Sequence, residues 1–359
     1  MGERFALLVH PSRSGRKSRR PALPDFLWSC IAPLKTAPLS GISSSFGQVR
    51  GRFLFFRGDA GRLVWLEKPH LARAVFRAAK KAARMGARII GFSPSLAAAL
   101  GDVAAPMARK LGLTLTGGMS YTAAAAMEGL QRAAALRGLQ LEEAAVLVVG
   151  AAGPVGAVCT EILARDGANY ITLVDEDSPR LELLSRRLLY ECGVACRVSL
   201  QLRRAAARSD LVIAADRPGG AALSPQDLKA GAILCNLGGA DELSLALMRQ
   251  RPDVMVFDEV VVRLPGAVTV GYDLGLPEGC VSAWMAEAVL WALEGRCDRY
   301  FLGWELRVAK VAEMGRLAAK HGFTLVGFRV ADRYLDLAAV KKYHGPITHG
   351  PITHGPITP

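Results

Sequence analysis

The chain is poor in the features that staple, anchor or metallate a protein. Its seven cysteines, at positions 30, 159, 192, 196, 235, 280 and 297, are odd in number and never spaced C-x-x-C. That argues against a disulfide framework or a structural zinc cluster and predicts reduced thiols. The longest apolar run, 144–159, is interrupted by glycine and proline, so no transmembrane segment is expected. The apolar run Phe5–Val9 is too short for a signal-peptide core and meets His10-Pro11 at once; the expectation is a cytoplasmic protein. Acids number 32 against 45 Lys and Arg, and none lies between Lys68 and Gly101. The resulting net charge of +13 invites an acidic partner, although an arginine-rich genome leaves the same imprint. No nucleic-acid motif accompanies the basic clusters, so no nucleic-acid partner is expected.

What is present is a 359-residue chain, 51% hydrophobic, long enough for two domains. Its most informative stretch is Val146-Leu-Val-Val-Gly-Ala-Ala-Gly-Pro-Val-Gly156, an apolar strand running into glycines at 150, 153 and 156. This is a G-x-x-G-x-x-G variant of the dinucleotide fingerprint. Gly150 makes the turn, Gly153 and Gly156 let backbone approach a pyrophosphate, and a helix opening at Pro154-Val155 offers free N–H groups and its positive dipole end. A second strand, Tyr170–Val174, ends at Asp175-Glu176, about 20 residues beyond the glycines, where an acid bonds ribose hydroxyls. A carboxylate there repels a 2′-phosphate, which favours NAD over NADP; an ordinary solvated loop acid is the alternative reading, and Arg180 stands near enough to serve NADP.

The expected fold class is α/β: a Rossmann-type parallel-sheet domain with a smaller N-terminal α/β domain and C-terminal helices. Residues 1–122 read as the substrate domain, with strands at 5–9, 49–54 and 88–91 and helices at 70–86 and 95–110. A connector helix (123–139 as a domain boundary, starting at Thr122) leads into the cofactor domain, 140–272, with further buried strands at 211–215, 232–237 and 254–257. A helical segment, 273–343, follows, with helices at 277–294, 305–321 and 334–341. The three His-Gly-Pro-Ile-Thr copies of 344–359 predict a disordered tail, and without a rigid scaffold their histidines are assigned no metal. Two basic clusters stand out. Arg13, Arg16, Lys17, Arg19 and Arg20 read as a solvated loop, whereas Arg73, Arg77, Lys81, Arg84 and Arg88 recur at helical spacing and form a stripe suited to an acidic carrier protein, a phosphate-bearing substrate or peripheral contact with a membrane surface.

The chain resembles the long-chain acyl-[acyl-carrier-protein] reductases that make fatty aldehydes, and their bacterial relatives described as amino-acid dehydrogenases, with a cofactor domain like that of the shikimate dehydrogenases. The match is strongest at Ala286-Glu-Ala-Val-Leu-Trp-Ala-Leu-Glu-Gly295, continued by Tyr300, Gly303 and Ala318-Ala-Lys-His-Gly-Phe323. Echoes appear at Trp28-Ser-Cys-Ile-Ala-Pro33, Gly91-Phe-Ser93 and Gly118-Met-Ser-Tyr-Thr-Ala123, so all but the tail is covered. The resemblance implies two half-reactions: a cysteine attacks an acyl thioester, then hydride from NADPH releases the aldehyde.

Two departures follow. Trp284 stands where the nucleophilic cysteine belongs, and Glu176 replaces the arginine that would hold a 2′-phosphate. Cys280 is the candidate substitute, one turn earlier if a helix begins at Pro277, where the helix start would favour its thiolate. That shift is about 6 Å along the axis. The plainer reading of Cys280 is a small half-buried helix residue. Ser93, Ser120 and Thr122 are candidate substrate contacts and Tyr121 a candidate proton donor, with capping and turn bonding as the bland explanation. Three functions therefore compete: a thioester reductase, a shikimate- or amino-acid-type dehydrogenase acting on a ketone or imine, and a non-catalytic dinucleotide sensor.

Overall fold

The computed structural model describes residues 5–9, 35–56, 68–215, 223–238, 241–297, 301–302, 306–331 and 333–340. The basic cluster 13–20, the Trp28–Pro33 echo, Tyr300, Gly303 and the C-terminal repeat lie outside them.

The first strands are β1 (Phe5–Val9), β2 (Lys35–Ser44), β3 (Gly47–Phe55), β4 (Ile89–Phe92) and β5 (Thr114–Thr116). With β13 (Thr269–Val270) and β15 (Phe301–Leu302) they form a seven-stranded sheet in the order β13-β2-β3-β1-β4-β5-β15. Strands β3, β1, β4, β5 and β15 run parallel, and the β2–β3 hairpin and β13 add antiparallel pairs. Side chains alternate as the pleat requires. Phe5, Leu7, Phe53 and Ile89 enter the main core, while Ala6, Leu8, Leu54, Ile90 and Phe92 face a second core under helices α1 (Lys68–Arg84), α2 (Pro94–Leu100) and α3 (Ala104–Leu111). On α1 the buried row is small, Ala74, Val75, Ala78, Ala79 and Ala82, so the helix packs close and leaves Arg73, Lys80 and Arg84 on the outward side.

Helix α4 (Met119–Leu136) leads from β5 to the second sheet. That sheet is built from β6 (Ala145–Val149), β7 (Tyr170–Val174), β8 (Arg197–Val198), β9 (Leu211–Ala214), β10 (Ile233–Asn236) and β11 (Met255–Phe257), with helices α5 (Pro154–Arg165), α6 (Ser178–Cys192), α7 (Leu202–Ala206) and α8 (Asp241–Gln250) between them. All pairs are parallel, in the order β8-β7-β6-β9-β10-β11. Counted from β6 as first, this is the 3-2-1-4-5-6 order of a doubly wound dinucleotide-binding sheet, with its topological switch point between β6 and β9.

The C-terminal part differs from the helical segment expected. Strands β12 (Glu259–Arg263), β14 (Cys280–Ser282), β16 (Thr324–Val330) and β17 (Arg333–Asp336) form a four-stranded antiparallel sheet, β14-β12-β16-β17. The expected helix 277–294 is therefore corrected: 280–282 is strand, and helix α9 spans Ala283–Leu293. Gly279, with positive φ, and the ladder of β14 on β12 hold the chain extended before the helix can start. The expected helix 334–341 shortens to α11 (Leu337–Val340) because 333–336 pair with β16; the expected helix 305–321 becomes α10 (Val308–His321), which ends on Gly322 in the left-handed conformation. Every residue of α9 is buried, packed against β1, β3, β4 and α4, so a helix from late in the chain lies beneath the first sheet.

Candidate functional site

The glycine turn is built from β6. Gly150 adopts a φ of 75°, its amide donates to Val174 O, and Gly153 N returns to Gly150 O at 3.1 Å. A Cβ at Gly156 would lie 2.2 Å from Gly150 O, so only glycine lets α5 close onto the turn. Pro154 occupies the first turn of α5, and Ala157 N donates to Gly153 O, so Val155 and Gly156 supply the amides that have no carbonyl one turn back. These amides and the helix dipole suit a pyrophosphate.

Asp175 sits at the carboxyl end of β7, half-buried, and braces the same turn: Oδ2 accepts from Ala152 N at 3.0 Å and Oδ1 from Asp177 N at 3.1 Å. Glu176 beside it is exposed. Arg180 pairs with Asp177, Nε to Oδ2 at 3.2 Å, and its amide is capped by the same carboxylate.

A second set of groups gathers at the carboxyl ends of β4 and β5. Ser93 caps α2, accepting from Leu96 N at 3.3 Å. Gly118, with φ 70°, opens α4 and lies so close to α9 that a Cβ would stand 2.5 Å from Trp284 Cα. Ser120 is buried in the first turn of α4, and Thr122 Oγ1 is buried with no partner among the described residues. Tyr121 is buried edge-on to Phe323, ring centroids 6.3 Å apart, and burial pushes its hydroxyl well above the usual range, which opposes ionisation but leaves it a donor only where a partner reaches it.

The residue that organises this end is Glu287, which the sequence reading quoted in a motif but did not place in a site. Buried in the middle of α9, it accepts Thr116 Oγ1–H at 2.5 Å through Oε1 and Tyr121 N–H at 2.7 Å through Oε2. It thus caps α4 from another helix. Burial raises its pKa, and the two donors and Lys310 pull it back. The signal was available: Glu287 is the one charge in the otherwise apolar stretch 283–293.

The two ends meet at the start of α9. Ser282 Oγ donates to Glu259 Oε2 at 2.5 Å, tying α9 to the chain just beyond β11, while Trp284 abuts Gly118 at the end of β5. Next to Glu259, Asp258 accepts from Asn236 Nδ2 at 2.9 Å, from Ser244 Oγ, and from Ala331 N at 2.6 Å, at the carboxyl ends of β10 and β11. Burial raises the Asp258 pKa. None of the members of this network belongs to a local motif, so the sequence alone does not reveal it.

Cys280 needs correction. It lies on β14, opposite Arg263, not in the first turn of a helix. Burial raises its thiol pKa against the opposing charge of Arg263, and its Sγ lies 3.6 Å from Glu278 O. It lines an open pocket of about 430 Å³ with Thr269, Tyr272, Leu276 and Pro277. Trp284, at the aligned cysteine position, is buried in the first turn of α9. Among the described residues no cluster of His, Cys, Asp and Glu could hold a metal, and no helix is long and apolar enough to cross a membrane.

Sheet order and glycine turn together define a Rossmann-type doubly wound fold. No family model matches the sequence. The chain is 27% identical over 249 residues to the aminotransferase PigE of Serratia sp., covering 66% of this chain and 28% of that protein. It is 26% identical over 215 residues to the long-chain acyl-[acyl-carrier-protein] reductase of Synechococcus elongatus, covering 58% of this chain and 61% of the reductase. The matches thus span less than two thirds of either relative. Among solved structures, L-tryptophan dehydrogenase from Nostoc punctiforme aligns with a TM-score of 0.38 at 11% identity, over 95% of this chain and 86% of that one. Quinate dehydrogenase from Corynebacterium glutamicum in complex with NAD aligns with a TM-score of 0.33 at 12% identity, over 87% and 98%.

Proposed function

We propose that the chain is an NAD-dependent oxidoreductase that reduces a carbonyl or imine carbon held between the carboxyl ends of the parallel strands of its first two sheets. The observation that carries this reading is the 3-2-1-4-5-6 sheet with Gly150, Gly153 and Gly156 at the end of its first strand and Asp175 at the end of its second. A nicotinamide dinucleotide would supply hydride. The amides of Val155 and Gly156 would hold its pyrophosphate, and Asp175, already fixed by two backbone donors, would meet the ribose. Glu176 favours NAD by repelling a 2′-phosphate, and Arg180, committed to Asp177, offers that phosphate less.

The covalent thioester route fits this chain poorly. Its candidate thiol, Cys280, is buried on a strand with a raised pKa, and Trp284 has no nucleophilic atom. Direct hydride transfer needs neither. Ser120 and Thr122 stand at the α4 start to contact substrate, and Glu287 holds that start in place. In the thioester alternative, the exposed basic row of α1 would dock an acidic carrier protein. The test is cofactor oxidation measured with a panel of 2-keto acids, cyclic ketones and acyl thioesters, using wild type and Cys280→Ser. Turnover of a ketone or imine that is unchanged in Cys280→Ser supports the proposal. Turnover of thioesters alone, abolished in that variant, overturns it in favour of acyl reduction, and cofactor binding with no turnover marks a sensor.

A further inference from the structure

We propose that Ser44, His321 and Glu294 form a second reactive site, separate from the cleft, in which Ser44 takes an acyl group from an apolar carboxylic ester and passes it to water. Helix α9 begins with Ala283-Trp284 beside Gly118 at the end of β5 and ends at Leu293, about 15 Å away along its axis. At that far end Glu294 meets His321, the last residue of α10, and the tip of the β2–β3 hairpin.

His321 has its side chain wholly out of solvent, with Nδ1 2.7 Å from Ser44 Oγ and Nε2 2.7 Å from Glu294 Oε1. Lys320 Nζ reaches the same Glu294 oxygen at 2.6 Å, and this bond holds the carboxyl below its usual range. A carboxylate on Nε2 selects the Nε2–H tautomer, which leaves the Nδ1 lone pair to receive the Ser44 proton. Nucleophile, base and orienting acid are thus in sequence within hydrogen-bonding distance. The arrangement is sheltered where the base sits and open where the nucleophile sits: Ser44 is half-buried at a hairpin tip, and Phe46 beside it is 61% exposed. Phe46 lies edge-on to the His321 ring at 5.7 Å, Lys320 lies over the Phe46 ring at 4.9 Å, and Phe46 N donates to Ser44 Oγ at 3.2 Å. An exposed ring supplies an apolar seat. The Phe46 amide, which lies against Ser44 Oγ, and the Lys320 ammonium, bonded to Glu294, are donors that the carbonyl oxygen of an ester attacked there would meet.

In the first half-reaction the Ser44 oxygen bonds the ester carbonyl carbon as its proton passes to His321 Nδ1. The carbon–oxygen bond to the alcohol then breaks, and His321 returns the proton to the departing alkoxide. Water then bonds the acyl carbon as His321 takes its proton, the carbon–oxygen bond to Ser44 breaks, and His321 returns the proton to Ser44 Oγ as the carboxylic acid leaves. No electrons are exchanged with any other reagent.

The test treats the full chain with a fluorophosphonate probe and locates the adduct by intact mass and peptide mapping, alongside hydrolysis of p-nitrophenyl butyrate. The expected result is one adduct on Ser44, absent in Ser44→Ala, with labelling slowed at least about 100-fold in His321→Gln and ester hydrolysis lost in parallel. Replacing a buried imidazole endangers the fold, so Ser44→Cys gives an independent reading. The thiol introduced by that substitution, still beside His321, is expected to be alkylated by iodoacetamide faster than any native cysteine. An unlabelled Ser44 in protein that melts cooperatively, or an introduced thiol no faster than the native ones, would overturn the proposal and leave a hydrogen-bonded tie between hairpin and helices.

Discussion

At the scale of single residues, a few positions let one atom decide the outcome. Gly156 is the clearest. A methyl group there would meet Gly150 O at 2.2 Å, so Gly156→Ala must open the turn that presents the Val155 and Gly156 amides. We expect at least a tenfold loss of NADH affinity, about 1.4 kcal/mol, in a fluorescence titration, with the far-UV spectrum unchanged. Glu176 decides cofactor choice instead of affinity. Glu176→Arg is expected to shift the NADH/NADPH preference toward NADPH by about tenfold or more, since it replaces like-charge repulsion of a 2′-phosphate with attraction. These residues were legible in the sequence because the fingerprint is local, with turn, helix start and acid following one another along the chain. Cys280 was not. Its reading depended on where a helix began, and the pairing of Cys280 with Arg263 across β14 and β12 is a non-local fact.

At the scale of elements, α9 joins the two halves. Its burial on every side makes it a core helix, and Glu287 is the charge placed within it. Glu287→Leu would strand the Tyr121 amide and the Thr116 hydroxyl, each a buried group whose lost partner costs about 1–3 kcal/mol, whereas Glu287→Gln keeps an acceptor for one of them. Chemical denaturation should therefore rank wild type above Gln above Leu. A Leu variant as stable as wild type would show that α4 does not need this cap. The elements of the parallel sheet were legible because each is a short, buried, apolar run between helical patterns. The antiparallel sheet of β12, β14, β16 and β17 was not, since Val260-Val261-Val262 and Leu325–Val330 resemble those same runs and only tertiary pairing separates them. Strand β2 was hidden for a different reason: Pro38 and Gly41 interrupt its pattern, and its hairpin partner β3 holds it in register.

At the scale of the whole molecule, charge and titration follow from the same contacts. Glu294, Asp253 and Glu313 hold folded pKa values below their ordinary ones; hydrogen bonds from Lys320 and Arg251 lead for the first two, while for Glu313 an opposing burial effect is outweighed by bonds from Lys310 and Arg296. Their contribution to stability is present above the unfolded carboxylate values, about pH 4, and is lost as pH falls through the depressed folded values. Glu287 and Asp258 work in the opposite sense: burial raises both, so their contribution is fullest in acid and is lost as pH rises through the raised folded values. Thermal melts across pH are expected to fall steeply below about pH 4, and Glu294→Gln should flatten that limb. The glycine turn between β6 and α5 is proposed to hold an NAD-type cofactor. The measurement that addresses it most directly is calorimetric titration of NADH and of NADPH into the wild-type protein and into Gly156→Ala. Saturable one-site binding of NADH, weaker binding of NADPH, and loss of both in the variant are the expected results. Binding of neither cofactor by folded wild-type protein, or equal binding by the variant, would contradict the claim.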